Sequence, residues 1–513
     1  MKISENLYQL INVLTKAEKR YFRLQAEFHR TDSHLLQLFD AISQKAVHSD
    51  AELKDYFKSA GFIGQLDVLK VHLYQLILNS MRQFHGSRNK QRMVRAMVDD
   101  LHFLFDKALY SQCSKLLKKV KDAATEIGYQ SALIDLLDIE RNLLGVDVHM
   151  AYTTQSIAAI DLAENGIIKN LQTEARFKHF GAMTGYLNKQ QGLARTAYAL
   201  EQIQQMAADP LLQPEVATTL RSKRLLYYSL MAAELASGNY EQAGIYNQEI
   251  LATYGDNRVL IRENPIGLLS AIGNQIVINI RLKKYATAID LINALIELPT
   301  LLNKAQRRSK TLNKRIELHV LNYSMGIYLE CGNIPEAIQL EPKILEFIRM
   351  NKTIIPVHRL LELHFSLLYL YFILGDYDKA LKQLKLLEQF NLRQLKQDLF
   401  ASVQLIKLLI HYELDNRNLL PYLIRSVYRS LSQSARLFEF EYVLIQFMRN
   451  ELPKVTGGIA TARAFNKLLL QLTKIQHDKY EQAAFIMFDI VAWLRSKIEH
   501  KPLLAVLSEI KSE

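Results

Sequence analysis

The sequence predicts an all-α protein: an α-solenoid of stacked antiparallel helix hairpins. Three observations carry this. Glycine (19) and proline (10) are scarce over 513 residues, well below typical usage of about 7% and 5%, so helices should be long and connections short. The stretch Leu360 to Leu387, LLELHFSLLYLYFILGDYDKALKQLKLL, reads as two helices. The first is apolar almost all round, and the second has one dry and one wet face. Its turn is echoed elsewhere in the chain. A single hairpin of this kind cannot bury its own apolar surface and needs copies on both sides.

Hydrophobic residues make up 49% of the chain and charged residues 23%, enough for a continuous core and unlike a disordered segment. Cys113 and Cys331 are the two cysteines, too few and too distant for a disulfide framework or a cysteine metal site. Both are expected as small buried residues. The opening MKISENLYQLINVL has no uninterrupted apolar core and reads as an amphipathic helix rather than a signal peptide. The run Phe365 to Leu374 is far shorter than the roughly 20 residues that cross a bilayer. A soluble, cytoplasmic protein without membrane contact is expected.

Along the chain, residues 1–85 read as an N-terminal helical unit. Thr15 with Glu18, and Ser49 with Glu52, have the spacing of capping boxes. A short helix to Phe57, a turn at Gly61 and Gly64, and a longer helix from Gln65 to Phe84 follow. That outline suits either an ordinary hairpin or a helix-turn-helix, although the second helix is too apolar to offer a clear recognition face. His85 to Asn89 reads as a linker. Residues 86–213 read as helical hairpins with a weak repeat, beginning with helices Arg88 to Tyr110 and Ser111 to Ile127.

From 214 to 432 the repeat is legible. Gly238-Asn239-Tyr240 precedes Ala243, Lys283-Lys284-Tyr285 precedes Ala288, Gly332-Asn333-Ile334 precedes Ala337, and Gly375-Asp376-Tyr377 precedes Ala380. A weaker copy runs from Asp415-Asn416-Arg417 to Leu420. The left-handed position ends one helix, the bulky residue packs under the turn, and the small residue admits the neighbouring helix. Residues 433–513 continue as helices closing the stack. A break is expected at Gly457-Gly458, and Pro502 opens the last helix. Ile486, Ile490, Trp493 and Leu494 are placed on one buried helical face.

These turns resemble those of the tetratricopeptide repeat. They stand 45, 49, 43 and 40 residues apart, longer than that family's roughly 34. Its tryptophan has no counterpart here, and Met231, Ile276, Met325 and Leu368 replace its small residue early in the first helix. The resemblance implies tetratricopeptide-like hairpins with longer helices. Over nearly its full length the chain also resembles an uncharacterised bacterial helical-repeat family, through LTKAEKRYFRL (Leu14 to Leu24), LIHYELDNRNLLPYLIRSVYRSL (Leu409 to Leu431) and FDIVAWLRSKIEH (Phe488 to His500). That likeness implies architecture and no activity.

Chemistry is hard to find in the sequence. It has no glycine-rich phosphate loop, HExxH, CxxC or GxSxG motif, and no enzyme, cofactor or metal is expected. His358, Glu362 and His364 in HRLLELH do not share a helical face. The net charge of +12 is concentrated: Met81 to Arg95 holds five basic and no acidic residues, and Leu301 to Ile316 holds six and none. Arg88, Lys90, Arg92 and Arg95, and separately Lys304, Arg307, Arg308 and Arg315, are candidate interaction patches. If helical, the second set lies on one face. Arg425 and Arg429 are expected to form ion pairs with Glu439 and Glu441. The function expected is a non-enzymatic scaffold or adaptor that binds a protein or peptide. The alternative is a nucleic-acid-linked regulator with a DNA-binding N-terminal unit.

Overall fold

The computed structural model describes residues 3–28, 33–44, 49–86, 89–147, 150, 152–255, 257–351, 355–455 and 458–512. Every regular element among them is helical. The chain forms two compact units, Met1–Ile167 and Ile168–Glu513.

The first unit holds α1 (Ile3–Val13), α2 (Lys16–Phe28), α3 (Ser33–Ser43), α4 (Asp50–Tyr56), α5 (Leu66–Gly86), α6 (Lys90–Asp106), α7 (Tyr110–Glu126) and α8 (Gln130–Leu144). α9 (Thr154–Gln191) contains the boundary between the units. Thr15 and Glu18 cap α2 reciprocally: Thr15 N–H donates to Glu18 at 2.7 Å and Glu18 N–H to Thr15 Oγ1 at 3.3 Å. Leu7, Phe22, Leu38, Phe39 and Leu73 form one core of this unit, and Val94, Leu101, Cys113, Leu117 and Leu136 a second. The linker is shorter than the sequence suggests. α5 continues through Gly86, and Asn89 caps α6 by accepting from Arg92 N–H at 3.0 Å.

The hairpin turn also occurs here, where sequence reading found only pairs of helices. Ala108 and Gly128 adopt positive φ of 57° and 65°. Leu109 N–H then reaches Leu104 O at 3.0 Å, and Tyr129 N–H reaches Ala124 O at 2.8 Å. This six-to-one hydrogen bond satisfies a carbonyl that the helix end leaves open. An alanine in the left-handed position, rather than glycine, hid the first copy.

The second unit continues with α10 (Ala197–Ala207), α11 (Leu220–Ser237), α12 (Tyr240–Tyr254), α13 (Arg258–Glu263), α14 (Pro265–Arg281), α15 (Tyr285–Leu301), α16 (Lys304–Arg307), α17 (Lys310–Cys331) and α18 (Ile334–Asn351). Then come α19 (Val357–Ile373), α20 (Tyr377–Glu388), α21 (Leu392–Leu395), α22 (Gln397–Glu413), α23 (Leu420–Gln433), α24 (Glu439–Gln446), α25 (Gly458–Ile475), α26 (Ile490–Ile498) and α27 (Leu503–Ser512). Neighbours pack in pairs: α11 on α12, α14 on α15, α17 on α18, α19 on α20 and α22 on α23. The second helix of a pair also packs on the first helix of the next pair, as α12 does on α14, α15 on α17, α18 on α19 and α20 on α22.

Gly238, Gly332 and Gly375 take φ of 79°, 78° and 72°, while Lys283 and Asp415 adopt the same region at 57° and 51°. Ala243, Ala288, Ala337 and Ala380 are completely buried, so any larger side chain there would push two helices apart. Tyr240 and Tyr285 are half-buried at their turns. Tyr377 sets its ring edge-on to Phe372 at 5.7 Å. The contrast between paired helices follows their composition. Eleven of the seventeen residues of α19 are buried, against four of twelve in α20.

Three expectations about packing change. Cys113 is buried, but Cys331 is only partly so. Trp493 is buried with Ile490 and Leu494 on α26; Ile486 precedes that helix, in an irregular stretch, and is half-buried. Gly458 opens α25, and Gly457 lies outside the described residues.

Candidate functional site

The second unit draws charge inward in two places, half-buried at the first and enclosed at the second. On α19, Arg359 Nη1 meets Glu362 at 2.7 Å, one turn away. Lys396, at the cap of α22, meets the other Glu362 oxygen at 2.9 Å. From α17, Asn322 donates to Glu362 at 3.1 Å, and Arg359 donates to the Tyr323 hydroxyl at 3.2 Å. Tyr323 fits because its α14 neighbour is Gly273, where a Cβ would stand 2.3 Å from the hydroxyl. Burial alone raises the Glu362 pKa, but Lys396 and Arg359 outweigh it and hold the carboxyl at about 2. His319 shares a hydrogen bond with Tyr323 at 3.2 Å. Its burial, with Arg359 nearby, lowers its pKa to about 4. A cleft of about 250 Å³ opens beside this group, with Arg281, Glu330 and Tyr369 also on its walls.

The second place is built around Arg195, in the non-helical stretch before α10. Its guanidinium meets Glu441 at 2.5 and 3.1 Å, Glu481 at 2.5 Å and the Tyr480 carbonyl at 3.1 Å. It lies 4.1 Å over the Phe438 ring. All three charged side chains are at least nine-tenths buried. Glu481 also accepts from Glu439 N–H and Phe440 N–H, each at 3.2 Å, so it caps α24. A carboxylate there is favoured by the helix dipole. Beside Arg195, Ala194 N–H donates to Ala236 O at 2.8 Å. Gly192 comes so near α22 that a Cβ would stand 2.9 Å from Asp398 Cβ. A cleft of about 210 Å³ adjoins, sharing Val277, Arg281, Ile486 and Met487 with the first.

Two irregular segments of the chain therefore lie against the paired helices. One is 192–195. The other is 476–489, whose Asp489 N–H donates to the Tyr369 hydroxyl at 2.9 Å. The two clefts join into a groove that holds 192–195 and is bordered by 476–489, with polar groups such as Arg281, Asn322 and Ser402 set among mostly apolar walls.

The basic residues singled out in the sequence are placed differently. Lys90 pairs with Glu126 at 2.6 Å. Arg95 is exposed but lies over the Tyr129 ring at 5.5 Å and donates to its hydroxyl at 2.5 Å. Arg92 is exposed; Arg88 lies outside the described residues. The segment carrying Lys304, Arg307, Arg308 and Arg315 is not one helix. α16 ends after a single turn, and Ser309 caps α17 by accepting from Leu312 N–H at 3.3 Å. All four cations are exposed, but they do not form the single helical stripe the spacing suggests. At the start of α5, Lys70 turns inward to Asp50 and Asp67, leaving Asp67, Val68, Val71 and His72 outside.

Glu441 is committed to Arg195, so the expected pairing of Arg425 and Arg429 with Glu439 and Glu441 is replaced. In HRLLELH, Glu362 joins the half-buried network with Arg359 and Lys396, His364 is buried against Gln383 at 2.7 Å, and His358 is exposed. Sequence reading missed Arg195, Glu481 and Lys396. Only Glu441 gave a signal: it shares the apolar run FEFEYVLIQF with Glu439, and a charge on the buried side of such a run needs a partner.

Among the described residues, no group of three or more His, Cys, Asp or Glu side chains is placed to hold a metal ion, and no helix is long and apolar enough to cross a membrane. The chain matches no family model, no curated protein and no solved structure.

Proposed function

We propose that the chain is a non-catalytic scaffold or adaptor, cytoplasmic, whose second unit is a tetratricopeptide-like solenoid that binds a protein or peptide along the groove just described. It would belong with bacterial helical-repeat proteins. The observation that carries this reading is the segment 192–195. It lies in the groove as a docked peptide would, with a backbone hydrogen bond from Ala194 and one arginine sunk between two carboxylates. The adjoining cleft offers the same kind of surface: Asn322, Tyr369 and the Arg281–Glu330 pair at 3.7 Å, over apolar walls. Stacked hairpins present such surfaces as a matter of geometry.

The nucleic-acid reading draws no support from α5, which exposes an acidic and apolar start rather than a basic one.

The test compares the full chain with Arg281→Glu, a partly exposed groove residue. Proteins recovered from lysate by the native chain should be absent with the variant, while its melting temperature stays within about 4 °C. Identical sets of recovered proteins from both would sink the proposal.

A further inference from the structure

A different part of the second unit gathers unpaired positive charge. Arg425 and Arg429 stand one turn apart on α23, and Arg449 lies across from them. These three line a cleft of about 310 Å³ whose other walls are Ile424, Tyr428, Ser432 and Gln433, with no acidic residue among them. Arg425 donates to its own helix at Pro421 O (3.3 Å) and lies over the Tyr422 ring at 5.0 Å. All three arginines are exposed. Nearby Glu451 is taken by Lys467 at 3.2 Å.

Arg449 is presented by an unusual backbone. Residues Phe447–Glu451 form a π-helical turn, with Phe447 and Met448 buried beneath it. Such turns are rare, cost stability and concentrate at functional sites. Like charges one turn apart on a helix are also unfavourable. Two local costs thus converge on one cleft.

The cleft continues, through Ile424, Arg425 and Arg449, into a cavity of about 790 Å³. Leu420, Pro421, Met448, Leu452 and Val455 give that cavity apolar walls, and His411, Asn416 and the Asp415–Arg417 pair at 2.7 Å give it polar ones. Glu413, also on its lining, is already neutralised by Lys497 at 2.5 Å and accepts the Trp493 indole N–H at 2.7 Å. A cationic neck opening on a chamber of mixed polarity suits a ligand with an anionic head and a body that has both flat apolar faces and hydrogen-bonding edges, as a nucleoside has. The volumes fall within the range of small-molecule sites. Guanidinium forks match phosphate geometry better than any other side chain does. Three arginines around one short cleft would seat a compact head, whereas a polynucleotide needs a basic track along its backbone.

We infer that this cleft and cavity form one binding site for an organic phosphate of nucleotide size. The phosphate or polyphosphate head lies among Arg425, Arg429 and Arg449, and the body in the adjoining chamber.

The test titrates the full chain with ATP and with pyrophosphate, by calorimetry and by the fluorescence of Trp493, the only tryptophan. ATP should bind saturably with a dissociation constant below about 1 mM. Arg429→Ala/Arg449→Ala, both exposed positions, should weaken it at least about tenfold, as loss of charge-assisted hydrogen bonds implies. Arg258→Ala, an exposed arginine elsewhere in the same unit, should leave it unchanged. Pyrophosphate should bind more weakly than ATP, because it cannot fill the chamber. Failure of both probes to saturate, or equal weakening by Arg258→Ala, would overturn the inference. Pyrophosphate binding as tightly as ATP would remove the chamber from the site. A single-stranded oligonucleotide that binds and is not displaced by ATP would replace the organic phosphate with a nucleic acid.

Discussion

The groove and the arginine cleft treat charge in opposite ways within one unit. In the groove, Arg195 is enclosed and Arg359 half-buried, and each is matched by at least one carboxylate within 3 Å. In the cleft, Arg425, Arg429 and Arg449 reach water with no carboxylate on the lining walls. Buried charge without a partner is so costly that its partners are in effect part of the fold. Exposed charge is cheap to leave unpaired, so its clustering asks for a reason beyond stability. The first kind of charge holds the chain together, and the second remains open to a ligand.

The largest expected effect separates these roles. Arg195→Ala leaves Glu441 and Glu481 buried without their cation, and stability should fall by about 3–5 kcal/mol. Arg195→Ala combined with Glu441→Gln and Glu481→Gln should recover part of that loss, measured by denaturant unfolding. Full stability in the single variant would mean that the buried triad is not what closes this part of the unit.

Acid should act next, and in two windows. The His319 pKa falls from 6.5 unfolded to about 4 folded. Its contribution is present above pH 6.5 and is lost as pH falls to about 4, because the unfolded chain takes up the proton first. Glu362 falls from 4.5 to about 2, so its contribution is present above pH 4.5 and is lost towards pH 2. Melting temperature against pH should show both declines. His319→Gln should flatten the upper window and Glu362→Gln the lower. A profile in which neither variant differs from the native chain would break the link between these groups and stability.

The smallest effect sharpens the contrast. Arg429→Ala/Arg449→Ala should change stability by no more than about 0.5 kcal/mol, because removing exposed, mutually repelling charges costs nothing buried. A loss of several kcal/mol in thermal or denaturant unfolding would show that these arginines are structural and the contrast false.

How much of this could be read from sequence differs from one feature to another. The turns at Gly238, Gly332 and Gly375 were legible because a left-handed residue, a capping position and a small residue three places on leave a local signature. Ala108 has the same backbone and was missed, since alanine carries no such signal. The segment from Lys304 to Arg315 was legible in charge but not in shape, because Ser309 begins a new helix where the charge spacing suggested one continuous face. Arg195 and Glu481 gave no warning, being 286 residues apart. Ile486 lay outside the helix assigned to it for a related reason: its apolar spacing fits a helix, but the chain there runs irregularly against α14 and α19.

The sequence by itself determined the helical class, the repeating turns and the concentration of positive charge, all of which depend on residues within one or two turns of each other. Only the tertiary structure decided which charges would be enclosed with partners and which would face water. Periodicity specifies that a side chain leaves one side of a helix, but not what stands opposite it. Whether Arg195 finds Glu441, or Arg429 finds none, depends on elements brought together from distant parts of the chain.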